Sequence, residues 1–381
     1  MKTILIAPDS FKGSLSAQDA AAAMERGVKE TLSDSVVIKH PISDGGEGLV
    51  DILTPALNGT VVTTEVSGPL PGQRVKARWG LSGDQATGII EMAEAAGLPL
   101  VPREKRDPKI TTTYGVGELI RAALDAGVSS LIIGIGGSAT NDGGAGMAEA
   151  LGVKFLDVSG LPLDRGGAAL GQLHSIDVHE KDPRIDQVEV IIASDVQNTL
   201  CGERGASAVY GPQKGASSRD VRILDAALLH YSEVIQSTLG IDVLSIPGGG
   251  AAGGLGAGLA AFCGAQLKRG IDVVLQVTNF DDHLRSADLV ITGEGRIDKQ
   301  VRFGKALSGV IERAQQIGIP VVAVVGSVEG NRESFVSSQF LADLESLVDA
   351  KITTEEAMRD ASALISTKTK LLLQRYLTQR N

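Results

Sequence analysis

Acidic and basic side chains recur in this chain directly after short apolar runs, where a strand would end. "ILIAPDSFKGSLSA" sets Asp9, Ser10 and Lys12 behind residues 4–7, and "VEVIIASDVQN" sets Asp195 and Asn198 behind residues 190–193. "ADLVITGEGRID" sets Glu294, Arg296 and Asp298 behind residues 289–292. "SDGGEG" places Asp44 and Glu47 around Gly45 and Gly46, and "YGPQKGA" carries Lys214 in a loop. "LIIGIGGSATNDGGAG", residues 131–146, follows its apolar run with Gly136, Gly137, Ser138, Thr140, Asn141 and Asp142.

A carboxylate at a strand end suits a magnesium ligand or a catalytic base. Lysine offers a point charge, and arginine a two-pronged clamp for carboxylate or phosphate. Glycine amides and a hydroxyl ahead of a helix suit a phosphate or carboxylate, although Asp142 would repel an anion unless a metal bridged them. Each feature has a plainer reading. Asp9 and Asp195 could cap helices, Lys12 could be solvated, Arg296 could sit in a surface ion pair, and the glycine loop could be a packing turn. For the glycine loop anion binding is favoured; for "SDGGEG" alone a surface turn is. Taken together, carboxylates, cations and glycine amides at strand ends fit phosphoryl transfer, which needs positioned charge and no protein nucleophile.

Several chemistries are excluded or weakened. There is no G-x-x-x-x-G-K-[ST], and the dinucleotide pattern G-x-G-x-x-G started by Gly134 and Gly136 meets Ala139 at its third glycine. H-E-x-x-H is absent, and the five histidines are scattered, none at a strand-end motif. Cys201 and Cys263 form no metal-binding pattern, which points to a reduced, cytoplasmic setting. A net charge of −10 argues against nucleic acid as a partner. The first apolar run is too short for a secretory leader, and the Gly/Ala tract 247–265 is too poor in large apolar side chains for a membrane span.

The elements that must position these residues alternate between strand and helix. Ser16 and Asp19 resemble a capping box, and Ala20, Met24, Val28 and Leu32 line one face of the helix that follows. "GVGELIRAALDAG" reads as a helix ending at Gly127, residues 304–317 as another, and "PVVAVVGSV" as a strand. Thr353 and Glu356 form a capping box that opens a last helix running to about Leu377. With 381 residues, two α/β domains with parallel sheets are expected, their ligands at the carboxyl ends of the strands. Polar turns at "SGPLPGQ" and "NFDDHLRSA" mark the expected boundaries, giving residues 1–66 with 286–381 as one domain and 67–285 as the other.

The same motifs, with "IEMAEAAGL", "RDPKITTTYGVGELI" and "GGGAAGGLGAG", resemble the bacterial class I glycerate kinases, in order and over nearly the whole chain. That resemblance implies a discontinuous flavodoxin- or Rossmann-like first domain and an active site in an interdomain cleft. It also implies ATP and Mg²⁺ as cofactors and D-glycerate as substrate, with 2-phosphoglycerate as product and 3-phosphoglycerate as the alternative. A homodimer is compatible with it. Family members often read "CDV" and "NPL" where this chain has Ser194-Asp195-Val196 and Asn198-Thr199-Leu200; Asp195 and Asn198 are kept. On this reading Lys12, Lys214 and Arg296 neutralise substrate and phosphates, and Asp195 or Glu294 holds the metal. Gly136, Gly137 and Ser138 cradle an anion, while Asp9, Ser10, Asp44, Gly45, Asn141, Asp142, Asn198 and Asp298 line the site. A nicotinamide-dependent hydroxy-acid dehydrogenase and a non-catalytic hydroxy-acid-binding protein are the competing classes.

Overall fold

Short, almost wholly apolar segments pair side by side, as strands buried on both faces do. The computed structural model describes residues 2–297, 306–336 and 341–379. In chain order the strands are β1 (Thr3–Pro8), β2 (Val36–Lys39), β3 (Thr60–Ser67), β4 (Arg74–Leu81), β5 (Thr87–Glu91), β6 (Ser130–Gly134), β7 (Lys154–Leu156) and β8 (Ser175–Asp177). They continue as β9 (Glu189–Ala193), β10 (Gln266–Lys268), β11 (Leu289–Gly293), β12 (Arg296–Ile297), β13 (Val321–Val325), β14 (Ser327–Val328) and β15 (Asp343–Ser346). The chain divides into two units, Met1–Asp44 with Ile271–Asn381, and Gly45–Gly270.

The first unit holds a five-stranded sheet in the order β15-β13-β11-β1-β2, every neighbouring pair parallel. Strand order reverses between β1 and β11, the arrangement that leaves a crevice at the carboxyl ends of those two strands. Ile4, Ile6, Leu289, Ile291, Val322 and Val324 share one core with Met24 and Val28 of the helix Ala17–Thr31 and with Leu372 and Leu373 of the helix Ala361–Thr378. The alternating Leu5, Val290 and Ala323 are equally buried. The two helices touch at Gly27, where a Cβ would come within 2.3 Å of the Ser366 carbonyl oxygen. Ser16 caps the first helix by accepting from the Asp19 amide.

The second unit holds a six-stranded sheet in the order β10-β9-β6-β5-β4-β3. Its last four strands in sequence, β5, β6, β9 and β10, run parallel as expected, and the antiparallel pairs β3–β4 and β4–β5 extend the sheet at one edge. The boundaries differ from those expected. "SGPLPGQ" is the turn of the β3–β4 hairpin, inside a sheet rather than between domains. Residues 271–285 pack into the first unit: the Phe280 ring meets His40 edge-on at 5.2 Å, and Arg313 pairs with Asp281 at 2.8 Å. The last helix also differs. The capping box at Thr353 and Glu356 opens only Thr354–Arg359, and a new helix starts after Asp360. Among the described residues no helix is long and apolar enough to cross a membrane.

The Gly/Ala tract explains much of the glycine loop. Ala252, Gly253 and Gly254 adopt left-handed backbone angles and break the helix Ala251–Cys263. The Gly143 amide donates to the Gly253 carbonyl at 3.0 Å. A Cβ on Gly258 would lie 2.4 Å from the Gly143 carbonyl oxygen, and one on Gly253 2.0 Å from that of Thr140. Backbone thus packs on backbone. Gly253→Ala is expected to lower the stability of the second unit by about 2–4 kcal/mol, combining left-handed strain with overpacking. Calorimetry would read this as a lower unfolding midpoint; an unchanged midpoint would rule the close approach out.

Candidate active site

The first unit places a cavity of about 330 Å³ over the carboxyl ends of β1, β11, β13 and β15, lined by Asp9, Ser10, Lys12, Asp44, Glu294 and Arg296 among others. Strand pairing fixes its polar part. β1 and β11 run in register to Pro8 and Gly293, and the Asp9 amide then donates to the Gly293 carbonyl at 2.8 Å. Buried Asp9 and buried Glu294 therefore follow directly on neighbouring strand ends. Burial, and next the charge of Asp44, hold the Asp9 carboxyl well above the usual carboxylate range. Glu294 adds to this, while the Ser10 amide at 2.6 Å and Lys12 oppose it.

The loop after Asp9 closes tightly. Phe11 is buried, its amide donates to the Leu15 carbonyl, and Gly13 takes a left-handed conformation. Lys12 rides outside at 65% side-chain exposure, 3.8 Å from Asp44, so that ion pair contributes little by itself. The Ser10 hydroxyl is buried and has no hydrogen-bond partner among the described residues. Arg296 lies on β12, which pairs with β14, and its guanidinium meets Glu329. Asp298 falls outside the described residues.

The second unit gathers the other candidates at its own strand ends, and several are committed internally. Asp142 is buried and accepts from the Thr113 amide at 2.8 Å, the Thr113 hydroxyl at 2.9 Å, and the Gly144 and Gly146 amides at 3.3 Å each. Burial still raises its pKa. The amides that open the helix Ala145–Ala150 thus hold the loop's own carboxylate, which corrects the picture of the whole loop as a cradle for an external anion. The amides of Gly136, Gly137 and Ser138 make no backbone hydrogen bond among the described residues; Gly137 is exposed, Gly136 half-buried and Ser138 buried.

Lys214 is buried beneath this loop, donating to the Ser138 hydroxyl at 2.8 Å and the Thr140 carbonyl at 2.7 Å. Burial pushes its pKa down to about 7, with Asp142 pulling the other way. It is a strut rather than a solvent-facing cation. Asn141 donates to the Ser207 hydroxyl at 2.9 Å. Asn198 donates to the Arg204 carbonyl and accepts from the Tyr210 hydroxyl, both at 2.8 Å, so its amide group is engaged at both ends. Asp195, beyond β9, accepts from the Gly270 amide at 2.9 Å.

Gly45 and Gly46 are not a loose surface turn. A Cβ on Gly45 would lie 2.6 Å from the Ala193 carbonyl oxygen, and one on Gly136 2.8 Å from the Gly46 Cα. Sequence reasoning missed what anchors this segment. Buried Glu91, the last residue of β5, accepts from the Val50 amide at 2.7 Å and the Gly48 amide at 3.2 Å at the start of the helix Leu49–Ala56. An acid closing the apolar run "TGIIE" carries the same signature as Asp9 and Glu294 and could have been found. Burial raises its pKa to about 7, against the pull of those two amides.

Residues 4–377 match the Glycerate kinase family. A glycerate kinase from Halalkalibacterium halodurans is 50% identical over 365 residues, 96% of either chain. Glycerate 2-kinase from Escherichia coli is 48% identical over 358 residues, covering 94% of this chain and 93% of that one. A crystal structure assigned to a glycerate kinase 2 of Salmonella typhimurium LT2 superposes with a TM-score of 0.85 at 46% identity, covering 100% of both chains.

The raised pKa of Glu91 has a sign that can be checked. Its contribution to stability is full below the ordinary value of 4.5 and is lost as pH rises through about 7, because the unfolded chain ionises first. Glu91→Gln keeps a neutral acceptor, so its melting temperature relative to wild type should climb between pH 5 and pH 8, by the equivalent of about 3 kcal/mol. A difference that stays constant across this range would mean that Glu91 is ionised throughout.

Proposed function

The chain belongs to the glycerate kinase family, and from that membership we propose that it transfers the γ-phosphoryl group of ATP to D-glycerate, giving 2-phosphoglycerate. The near full-length identity to a relative named for the 2-position supports that product over 3-phosphoglycerate. These relatives favour the kinase over the dehydrogenase and binding-protein alternatives. The carrying structural observation is the strand-end cavity, where Asp9 and Glu294 stand with Lys12 and Arg296 and no nucleophile is required.

The donor set suits a magnesium nucleotide. Among the described residues no three His, Cys, Asp or Glu side chains are grouped to hold a metal ion alone. Magnesium is commonly held by one or two carboxylates together with substrate phosphates. Glu294 and Asp9 would hold it here, and a cation bound there would favour the ionised form of Asp9, whose pKa burial and the charges of Asp44 and Glu294 otherwise raise. Bound there, magnesium would supply charge neutralisation to the phosphates. Lys12 and Arg296 add positive charge toward the phosphates, and the Ser10 hydroxyl supplies a donor. In the second unit the amides of Gly136, Gly137 and Ser138 receive the glycerate carboxylate, with Lys214 holding Ser138 in place. Asp195 accepts the proton of the attacking hydroxyl, its carboxylate oriented by the Gly270 amide. The cytoplasm, where ATP is abundant, is the setting this reading implies.

Incubation with ATP, Mg²⁺ and D-glycerate followed by phosphorus NMR tests this directly. A phosphomonoester signal split by one proton identifies the 2-phosphate, and splitting by two protons identifies the 3-phosphate. No new signal from folded protein rejects the kinase. Asp195→Asn should lower kcat by about 10²–10⁴-fold with the melting temperature little changed; near wild-type turnover would remove Asp195 from the proton transfer.

A further inference from the structure

The cavity of the first unit has a second part that the acceptor acid cannot use. Beyond its charged residues it is lined by Leu347, Val348, Ala357, Met358 and Ala361. Its volume of about 330 Å³ lies at the lower end of the ~300–1,000 Å³ range of sites for drug-sized ligands. Glycerate is a three-carbon acid bearing oxygen on every carbon, with no apolar surface to set against these side chains. ATP pairs a flat, weakly polar base with a polyanionic tail, the same pairing of characters that the cavity presents.

The apolar part is firmly built. Parallel pairing carries on past β15, with the Leu347 amide donating to Val325 and the Val348 amide to Gly326, which places both residues at the strand ends. The capping box at Thr353 and Glu356 fixes the short helix that bears Ala357 and Met358. The Ser14 hydroxyl donates to the Met358 carbonyl at 2.8 Å, tying the Lys12 loop to that helix. Met358 is 45% exposed, a flexible thioether at the cavity rim of the kind that packs well on aromatic rings.

We propose that the apolar part of this cavity is the nucleoside subsite, taking the adenine and ribose of ATP while the phosphates run toward Lys12 and Arg296. The assignment rests on the kinase reading above. It makes the first unit the nucleotide-binding half and Met358 a specificity-determining residue.

The test is Met358→Ser, which removes apolar contact without adding charge at a tolerant, half-exposed position, with Met358→Leu as the conservative partner. Isothermal titration with ADP and Mg²⁺ should show about tenfold weaker binding for Met358→Ser and a change within about twofold for Met358→Leu. Tripolyphosphate, a phosphate-only probe, should bind the wild type and Met358→Ser alike, and the KM for glycerate should be unchanged. Wild-type ADP affinity in Met358→Ser, or a rise confined to the glycerate KM, overturns the nucleoside assignment while leaving the kinase intact. Equal loss of ADP and tripolyphosphate also overturns it, since the contact would then serve the phosphates. A wild-type protein that makes no phosphoglycerate defeats the kinase reading instead.

Discussion

Everything in the first unit depends on the pairing of β1 with β11, two strands joined in register although they lie about 285 residues apart in the chain. The Thr292 hydroxyl reinforces the pair by donating to the Ala7 carbonyl at 2.7 Å. The consequence is electrostatic. Two acids, Asp9 and Glu294, are delivered to adjacent buried positions, with Asp44 near enough to raise the Asp9 pKa further. Like charges gathered out of water are unfavourable unless a cation joins them. The sheet's contribution is to impose that gathering, because the reversal of strand order leaves a crevice there.

In the second unit the governing constraint is steric. Two glycine-rich segments more than 100 residues apart lie against each other backbone to backbone, and Asp142 consumes the amides at the following helix start. This divides the loop's glycines by purpose. Gly143, Gly144 and Gly146 serve packing and the internal carboxylate, whereas the amides of Gly136 and Gly137, just after β6, make no backbone hydrogen bond among the described residues. Lys214 stabilises the division from below by linking Ser138 to Thr140. Burial pulls the Lys214 pKa down, and its hydrogen bonds go to two neutral acceptors, the Ser138 hydroxyl and the Thr140 carbonyl.

What the sequence disclosed and what it hid follow from these two constraints. Parallel strands bury both faces, so β1, β9 and β11 were legible as apolar runs, and the residues that follow them could be read off directly as Asp9, Asp195 and Glu294. "SGPLPGQ" misled because a proline-glycine turn looks the same inside a hairpin as between domains. The break before Ala361 carries no glycine or proline to announce it. A glycine needed for packing looks the same in sequence as any other, and only the distant partner at 253–258 marks out those of this loop that pack. Glu91 stood in the same strand-end position as Asp9 and Glu294 and was overlooked, whereas the apolar lining at Leu347, Val348 and Met358 was hidden by its ordinary residue types.

The chemistry then accounts for the economy of the site. Phosphoryl transfer asks the protein for placement of charge more than for covalent participation. A chain with scattered histidines and two cysteines free among the described residues is therefore not poorly equipped. On the proposed reading its resources are backbone amides, acids at strand ends, Lys12 on a tight loop and Arg296 on a short strand. Such groups need little side-chain machinery, but they need backbone placed to within fractions of an ångström. That demand explains why so much of this protein's glycine lies where a single methyl group would collide with main chain, at Gly45, Gly136 and Gly253 alike.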